Sequence, residues 1–211
     1  HQKNILTPYF YKMTEIIILS LIQGVTEFLP ISSSSHLILM SELFNFAEKS
    51  LVIDVSLHIG SFFAVIIYFY KEILNFLKNK ELFLKILIAS VPVILFGYIL
   101  VLTDTINYLR NVKLIGFTTL LFGILLFISD KNNQNKQIQK DFNIKSAIII
   151  GFYQILSLVP GVSRSGIAIT AARFLGFNRI DSLKISFLLA IPTLAVVTIF
   201  GLKEIFFSDN L

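Results

Sequence analysis

The chain has 211 residues, of which 55% are hydrophobic and only 15% are charged, and it carries 21 phenylalanines. This composition is more apolar than the core of a soluble domain requires, so it indicates an integral membrane protein. The formal charge of +5 comes mainly from lysines without interleaved aromatics or clustered arginines, which excludes a nucleic-acid-binding protein. The absence of cysteine excludes disulfides and thiolate metal sites.

Residues 1–12 precede the first methionine, Met13, and lack the charged start and the small-residue cleavage site of a secretory signal. We interpret them as an upstream extension or an expression remnant. Residues 13–211 are interpreted as one integral membrane domain.

Eight apolar segments are predicted to lie in the membrane. Four are long enough to cross a hydrocarbon layer, which takes roughly 20 helical residues. The other four are short and form two pairs, each broken by a polar stretch that contains proline, as is typical of re-entrant helices. The prediction is an all-α, polytopic membrane bundle with two re-entrant helix pairs. The crossing segments are 51–70, 82–102, 113–129 and 183–202; the pairs are 14–29 with 33–46, and 145–159 with 165–176.

Lysines cluster in two loops between these segments, at 71–80 and 131–145. Because two predicted crossings separate these loops, both lie on the same side of the membrane. The excess of positive charge predicts that this side is the cytoplasm.

An internal repeat relates the two broken pairs. The stretch FLPISSSSH aligns with SLVPGVSRSG when Pro30 is placed on Pro160. At nearly the same offset, Asp54 and Asp181 each open a long apolar segment. These segments are the first and fourth crossings, so they traverse the membrane in opposite directions. The repeat is therefore predicted to be inverted, with the two broken helices meeting near the midplane.

Two charged residues interrupt the apolar sequence at the broken pairs. Glu27 and Arg164 would each cost at least about 2.5 kcal/mol at the bilayer centre, so each is expected to face a partner or a wet cavity. Superposition of the two repeats places them together.

The stretch PGVSRSG has the residues of an anion cradle. Gly161 and Gly166 let the backbone turn and approach a ligand closely, and Ser163 and Ser165 supply hydroxyls. Arg164 adds a planar fork of donors that matches phosphate oxygens. The stretch is therefore predicted to bind phosphate.

The four serines that follow Pro30 exceed what helix capping requires, since one serine can cap a helix. Ser33 and His36 are three residues apart and share a helical face, so His36 could take a proton from Ser33. Ser32 with His36, at a spacing of four, is the alternative pair.

Gln23 and Glu27 are four residues apart and point the same way. An amide and a carboxylate can hold a hard divalent ion, Mg²⁺ or Ca²⁺, or the carboxylate can instead orient Arg164 or His36. Both possibilities remain open from the residues alone.

Asp54 and His58 form another pair with a spacing of four. They open a long crossing segment, so we interpret them as marking its aqueous end.

The two motifs resemble those of the undecaprenyl-diphosphate phosphatases first associated with bacitracin resistance. The matching stretches are QGVTEFLPISSSSHL at 23–37 and PGVSRSG at 160–166, and the likeness extends over 14–207. It implies a hydrolase of the bacterial inner membrane that removes the terminal phosphate of the C55 lipid diphosphate used in cell-wall synthesis. It further implies a site facing the outer side, an assisting divalent cation, and chains that are often dimeric.

The resemblance also assigns roles to residues. Ala168 stands where the family often has threonine, so the hydroxyl contact of that threonine is either lost or supplied by Thr170. A complete member would have further C-terminal helices beyond Leu211. The predicted catalytic residues are Glu27, Ser33, His36 and Arg164, the phosphate-binding residues are Ser32, Ser163, Arg164, Ser165, Gly166 and Thr170, and the metal ligands are Gln23 and Glu27.

The leading hypothesis is in-line phosphoryl transfer in which Ser33 attacks the terminal phosphorus and His36 acts as the base. Water or His36 itself remains an alternative nucleophile. The alternative function is a carrier of an anionic lipid or phosphate that works by alternating access, because facing broken helices in an inverted repeat also occur in transporters. Polyprenyl diphosphate and membrane lipids are the predicted partners.

Overall fold

A computed structural model describes residues 6–46, 51–103, 105, 109–131 and 134–207. Within these ranges the regular elements are helical, apart from an isolated bridge between Lys136 and Phe177. The all-α prediction is confirmed. The α-helices are α1 (Leu6–Thr26), α2 (Ser33–Leu43), α3 (Leu51–Tyr68), α4 (Tyr70–Lys78), α5 (Lys80–Leu102), α6 (Val112–Asp130), α7 (Ile138–Asp141), α8 (Ile144–Ile155), α9 (Arg164–Phe174) and α10 (Arg179–Phe207), and a 3₁₀ turn (Leu156–Leu158) follows α8.

Three of the described helices, α5, α6 and α10, are long and apolar enough to cross a membrane. The predicted first crossing, 51–70, corresponds to α3, which ends at Tyr68, and at Phe69 the chain bends by 80° into α4. The described residues thus provide three spans, or four if the bent pair counts as one. The protein is a multi-pass membrane protein.

The first helix is longer than predicted. It begins at Leu6, so it occupies part of the segment that we interpreted as an extension. It ends at Thr26, just before the polar stretch that separates it from α2.

Asparagines cap three of the described helices. The side chains of Asn79, Asn111 and Asn143 accept hydrogen bonds from the first turns of α5, α6 and α8, respectively. Each satisfies a backbone N–H that has no partner within its helix. The boundaries of these helices therefore follow from polar residues placed between apolar runs.

Close helix crossings fix the second broken pair. A Cβ atom at Gly151 of α8 would lie 2.6 Å from the Ala89 carbonyl oxygen of α5, so only glycine permits this approach. One turn later, Gln154 donates to the same carbonyl at 2.9 Å. The two helices that correspond in the repeat, α3 and α10, also approach each other closely, because Gly201 of α10 lies against Val55 of α3.

The C-terminal end of α9 is anchored by a buried arginine. The Arg173 side chain is 3% exposed, and its Nε lies 3.1 Å from Asp130 Oδ1 at the end of α6. Its Nη1 donates to the Phe177 carbonyl at 2.8 Å. Because α9 is fixed at this end, its first residue, Arg164, has a defined position at the other.

Candidate active site

The tips of the two broken pairs touch. Ser165 Oγ donates to the Leu29 carbonyl oxygen at 2.5 Å, and Ser163 Oγ reaches the same oxygen at 3.4 Å. A Cβ at Gly166 would lie 3.3 Å from the Pro30 carbonyl oxygen. These contacts confirm the prediction that the two proline motifs converge.

Glu27 and Arg164 form an ion pair at this junction. Arg164 Nη2 donates to Glu27 Oε1 at 2.6 Å, and the side chains are 18% and 4% exposed, respectively. Arg164 Nη1 also donates to Thr193 Oγ1 of α10 at 3.0 Å. A guanidinium has five N–H donors, so those without partners among the described residues are available to an anion.

The second oxygen of Glu27 is also surrounded by polar groups. Glu27 Oε2 accepts hydrogen bonds from Ser33 Oγ and from Gln23 Nε2, each at 2.8 Å. His58 Nε2 of α3 lies 3.3 Å from the same oxygen. The Glu27 carboxylate therefore contacts residues of both broken pairs and of α3.

His58 is a site residue that the sequence interpretation missed. We interpreted it with Asp54 as the aqueous end of a span, but its imidazole faces Glu27, while Asp54 binds Arg110 at 2.7 Å. A signal for His58 is present in the sequence, because a histidine within an apolar segment is unusual.

The predicted hydrogen bond between Ser33 and His36 is wrong. His36 is exposed, and its Nδ1 lies 2.7 Å from the Ser32 carbonyl oxygen one turn earlier. In the described part of the chain the Ser33 hydroxyl bonds Glu27 and not His36. The reason is that α2 begins at Ser33 itself, so this side chain turns back towards the end of α1.

The predicted phosphate-binding serines have structural partners. Ser32 is the N-cap of α2 and Ser163 is the N-cap of α9, where it accepts a hydrogen bond from the Gly166 N–H at 3.1 Å. The Gly166 N–H is therefore already occupied in this structure. The earlier backbone N–H groups of α9, those of Arg164 and Ser165, have no acceptor within the helix and remain suited to a phosphate.

Thr170 does not occupy the position expected from the resemblance. Its side chain is 1% exposed, and its hydroxyl donates to the Gly166 carbonyl at 2.8 Å. Ala168 is equally buried in the core beside α5 and α8. Neither side chain lies at the junction, because both point from α9 into the bundle.

The Gln23–Glu27 pair does not fit a resident divalent cation. Both Glu27 oxygens already accept strong donors, and a cation there would lie beside the Arg164 guanidinium. Gln23 Oε1 is buried and has no hydrogen-bond partner among the described residues, but a single neutral oxygen is a poor site for Mg²⁺ or Ca²⁺. Among the described residues no group of three or more His, Asp or Glu side chains could hold a metal ion.

Threonines of α6 hold the loop of the second motif. Thr118 Oγ1 donates to the Pro160 carbonyl at 2.7 Å, and Thr119 Oγ1 donates to the Gly161 carbonyl at 3.3 Å. Gly161 has φ +97°, a conformation that favours glycine. A Cβ there would collide with Thr118 Oγ1 and lie 2.8 Å from the Ile115 carbonyl oxygen.

We expect Gly161→Ala to destabilise the protein by about 1–3 kcal/mol, because the substitution adds backbone strain to a collision with α6. Thermal unfolding in detergent measures the effect. The matched control is Gly116→Ala in α6, where a Cβ has open space, and helix propensity predicts equal or slightly higher stability. Equal unfolding temperatures for Gly161→Ala and the wild type would contradict the prediction.

The fold and the junction define a multi-pass membrane protein with a buried cluster of charged and hydroxyl side chains where two broken helix pairs meet. The chain belongs to the bacitracin resistance protein BacA family, whose family model matches residues 16–210. An undecaprenyl-diphosphatase of Pelagibacter ubique (strain HTCC1062) is 50% identical over 196 residues, which cover 92% of this chain and 77% of that protein.

Two further relatives carry the same name. The undecaprenyl-diphosphatase of Saccharophagus degradans (strain 2-40) is 45% identical over 199 residues, or 88% of this chain and 73% of the relative. That of Ruegeria sp. (strain TM1040) is 40% identical over 195 residues, or 86% of this chain and 73% of the relative.

Proposed function

We propose that this protein is a membrane hydrolase that removes the terminal phosphate of undecaprenyl diphosphate and so recycles the lipid carrier of cell-wall synthesis. Family membership and the names of the relatives support this activity. The observation that carries it is the Glu27 carboxylate, which bonds the Ser33 hydroxyl through one oxygen and Arg164 through the other.

The terminal phosphate would bind against the first turn of α9. Arg164 offers its remaining guanidinium donors, and the N–H groups at the start of the helix add a second set of donors and the positive end of the helix dipole. The exposed fraction of the Arg164 side chain, 18%, leaves it accessible to a headgroup.

In the reaction, Ser33 Oγ attacks the terminal phosphorus and passes its proton to Glu27 Oε2, 2.8 Å away. The bond from phosphorus to the bridging oxygen breaks, and undecaprenyl phosphate leaves with the electron pair. Protonation removes the charge of Glu27, so Arg164 is released to stabilise the phosphoryl oxygens. Water then attacks the phosphorus of the phosphoserine and the bond from Ser33 Oγ to phosphorus breaks. Glu27 returns its proton to Ser33 Oγ, and the protons of the water leave with inorganic phosphate.

In this proposal a divalent cation binds only together with the diphosphate substrate. The described residues do not favour a resident ion, whereas a diphosphate binds Mg²⁺ or Ca²⁺ through its own oxygens. Phosphate release with and without EDTA tests this requirement.

The site is proposed to face the outer side of the inner membrane. The Lys136 N–H donates to the Gly176 carbonyl and the Asn178 N–H donates to the Lys136 carbonyl, each at 3.0 Å, so the start of α10 lies beside the lysine-rich loop. From a helical rise of about 1.5 Å per residue, Thr193 lies about 21 Å along α10 from Arg179. In a hydrocarbon core of about 30 Å, this distance supports a site nearer the opposite surface.

This orientation predicts how single cysteines react, since the chain has none of its own. We expect a membrane-impermeant maleimide to label Lys113→Cys in intact cells but Lys140→Cys only after the membrane is opened. Both side chains are exposed. Labelling of Lys140→Cys in intact cells would reverse the assigned orientation.

Purified protein in detergent tests the activity. We expect phosphate release from undecaprenyl diphosphate without any second compartment. No release, together with uptake of the lipid or of phosphate into vesicles, would favour the carrier.

Light scattering of the same sample tests the homodimer that the family resemblance suggests.

A further inference from the structure

His58 contacts Glu27 from an element outside both broken pairs. Its Nε2 lies 3.3 Å from Glu27 Oε2, the oxygen that also accepts the Ser33 hydroxyl. We propose that His58 is a positioning residue that holds the Glu27 carboxylate with Oε2 directed at Ser33. This inference rests on the proposed function, in which Glu27 is the base.

The orientation of the His58 ring is fixed from its other side. Its Nδ1 lies 2.7 Å from the Asp54 carbonyl oxygen. A carbonyl oxygen can only accept a hydrogen bond, so Nδ1 carries a hydrogen and Nε2 is the nitrogen directed at Glu27. The Asp54 side chain is in turn bound by Arg110 at 2.7 Å, which fixes the first turn of α3 to the segment before α6. The imidazole therefore contacts Glu27 from a helix whose first turn is fixed by the bond between Arg110 and Asp54.

Glu27 needs a second hydrogen-bond partner, because Arg164 both binds Glu27 and has to bind the phosphate during the reaction. Arg164 holds Oε1 at 2.6 Å, yet in the reaction it must turn towards the phosphate. The terminal torsion of a glutamate is soft, so a carboxylate that loses this partner can rotate. His58 binds the other oxygen and does not contact the phosphoryl group in this scheme, so it keeps Oε2 on Ser33 throughout the transfer.

Charge also favours this arrangement. Donation by both ring nitrogens requires the doubly protonated imidazole, and a lone pair on Nε2 would instead face a carboxylate oxygen. With that charge, Glu27, Arg164 and His58 together carry one net positive charge. A net positive cluster at the junction suits an anionic headgroup.

Three variants of α3 test the proposal. We expect His58→Leu to lower kcat about 100-fold with little change in KM, since it disturbs the alignment of the base and not the phosphate site. His58→Gln keeps an N–H donor of similar reach and is expected to recover most of that loss. Ser61→Ala is the matched control, because this buried serine bonds only the Leu57 carbonyl in the described structure and should leave kcat unchanged.

The outcomes separate positioning from folding. Thermal unfolding of all three variants is measured in the same detergent. Wild-type kcat in His58→Leu would overturn the proposal, and so would equal losses in His58→Leu and His58→Gln, since a donor would then not matter.

A readout that needs no activity separates this inference from the proposed function. The infrared carboxylate band of Glu27 is identified by difference from Glu27→Gln, and we expect it to shift in His58→Leu but not in Ser61→Ala. An unshifted band overturns the positioning role. Absence of phosphate release by the wild type, with a shifted band, would overturn the proposed function and leave the contact between His58 and Glu27 established.

Discussion

Arg164→Ala is expected to lower kcat/KM for undecaprenyl diphosphate by at least about 1000-fold, because it removes the cation that stabilises the transferred phosphoryl group. Arg164→Lys should also be severely impaired, since an ammonium cannot bind Thr193, Glu27 and a phosphate in one plane. Phosphate release in detergent measures both losses.

Folding must be separated from catalysis in this experiment. Removing Arg164 leaves the Glu27 carboxylate, which is 4% exposed, without its guanidinium partner, and breaking a buried pair costs roughly 3–5 kcal/mol. The double variant Arg164→Ala, Glu27→Gln should recover stability but no activity. Arg179→Ala is the matched control, because this arginine is 72% exposed and binds Asp130 at the far end of the bundle. Wild-type activity in Arg164→Ala would refute the assigned phosphate site.

Ser33→Ala and Glu27→Gln are each expected to lower kcat by about 1000-fold, the first by removing the nucleophile and the second by removing its base. Since the two residues act as one unit, the double variant should be little worse than either single variant. Steady-state phosphate release measures this non-additivity, and additive losses would argue against a shared step.

Acid quenching with a substrate labelled in its terminal phosphate identifies the nucleophile. The wild type should trap a phosphoserine that is absent from Ser33→Ala. His36→Ala is the informative control, because His36 is exposed and bonds a backbone carbonyl, so the label should persist. Label on a histidine would overturn the assignment to Ser33.

The sequence predicted the meeting of Glu27 and Arg164 because an inverted repeat determines which segments face one another. It did not predict which residues of the uniformly apolar helices point into the junction. His58 of α3 and Thr193 of α10 reach the site by the rotation of their helices, which a continuous apolar run does not specify.

The sequence does not determine the residue at which α2 begins. Four consecutive serines are each suitable as an N-cap, and a change of one residue turns every side chain of the helix by about 100°. With Ser32 as the cap, the Ser33 hydroxyl meets Glu27, and His36 faces outward. The residues of the site were therefore largely predictable, but their pairing was not.

Prolines did not mark the breaks in the long helices. Pro92 and Pro192 lie within unbroken helices, whereas α3 and α4 bend at Phe69 without a proline. Proline alone does not decide where a membrane helix ends when neighbouring helices can accommodate the freed backbone groups.

The serine contacts between the two tips bear on the choice between hydrolysis and transport. A rocking carrier opens first to one side and then to the other, and this motion separates its halves at the substrate. Here such a separation would break the bonds from Ser163 and Ser165 to the Leu29 carbonyl and the bridge from Arg164 to Glu27 in every cycle. A junction fastened in this way is suited to chemistry on a headgroup that arrives and leaves from one leaflet.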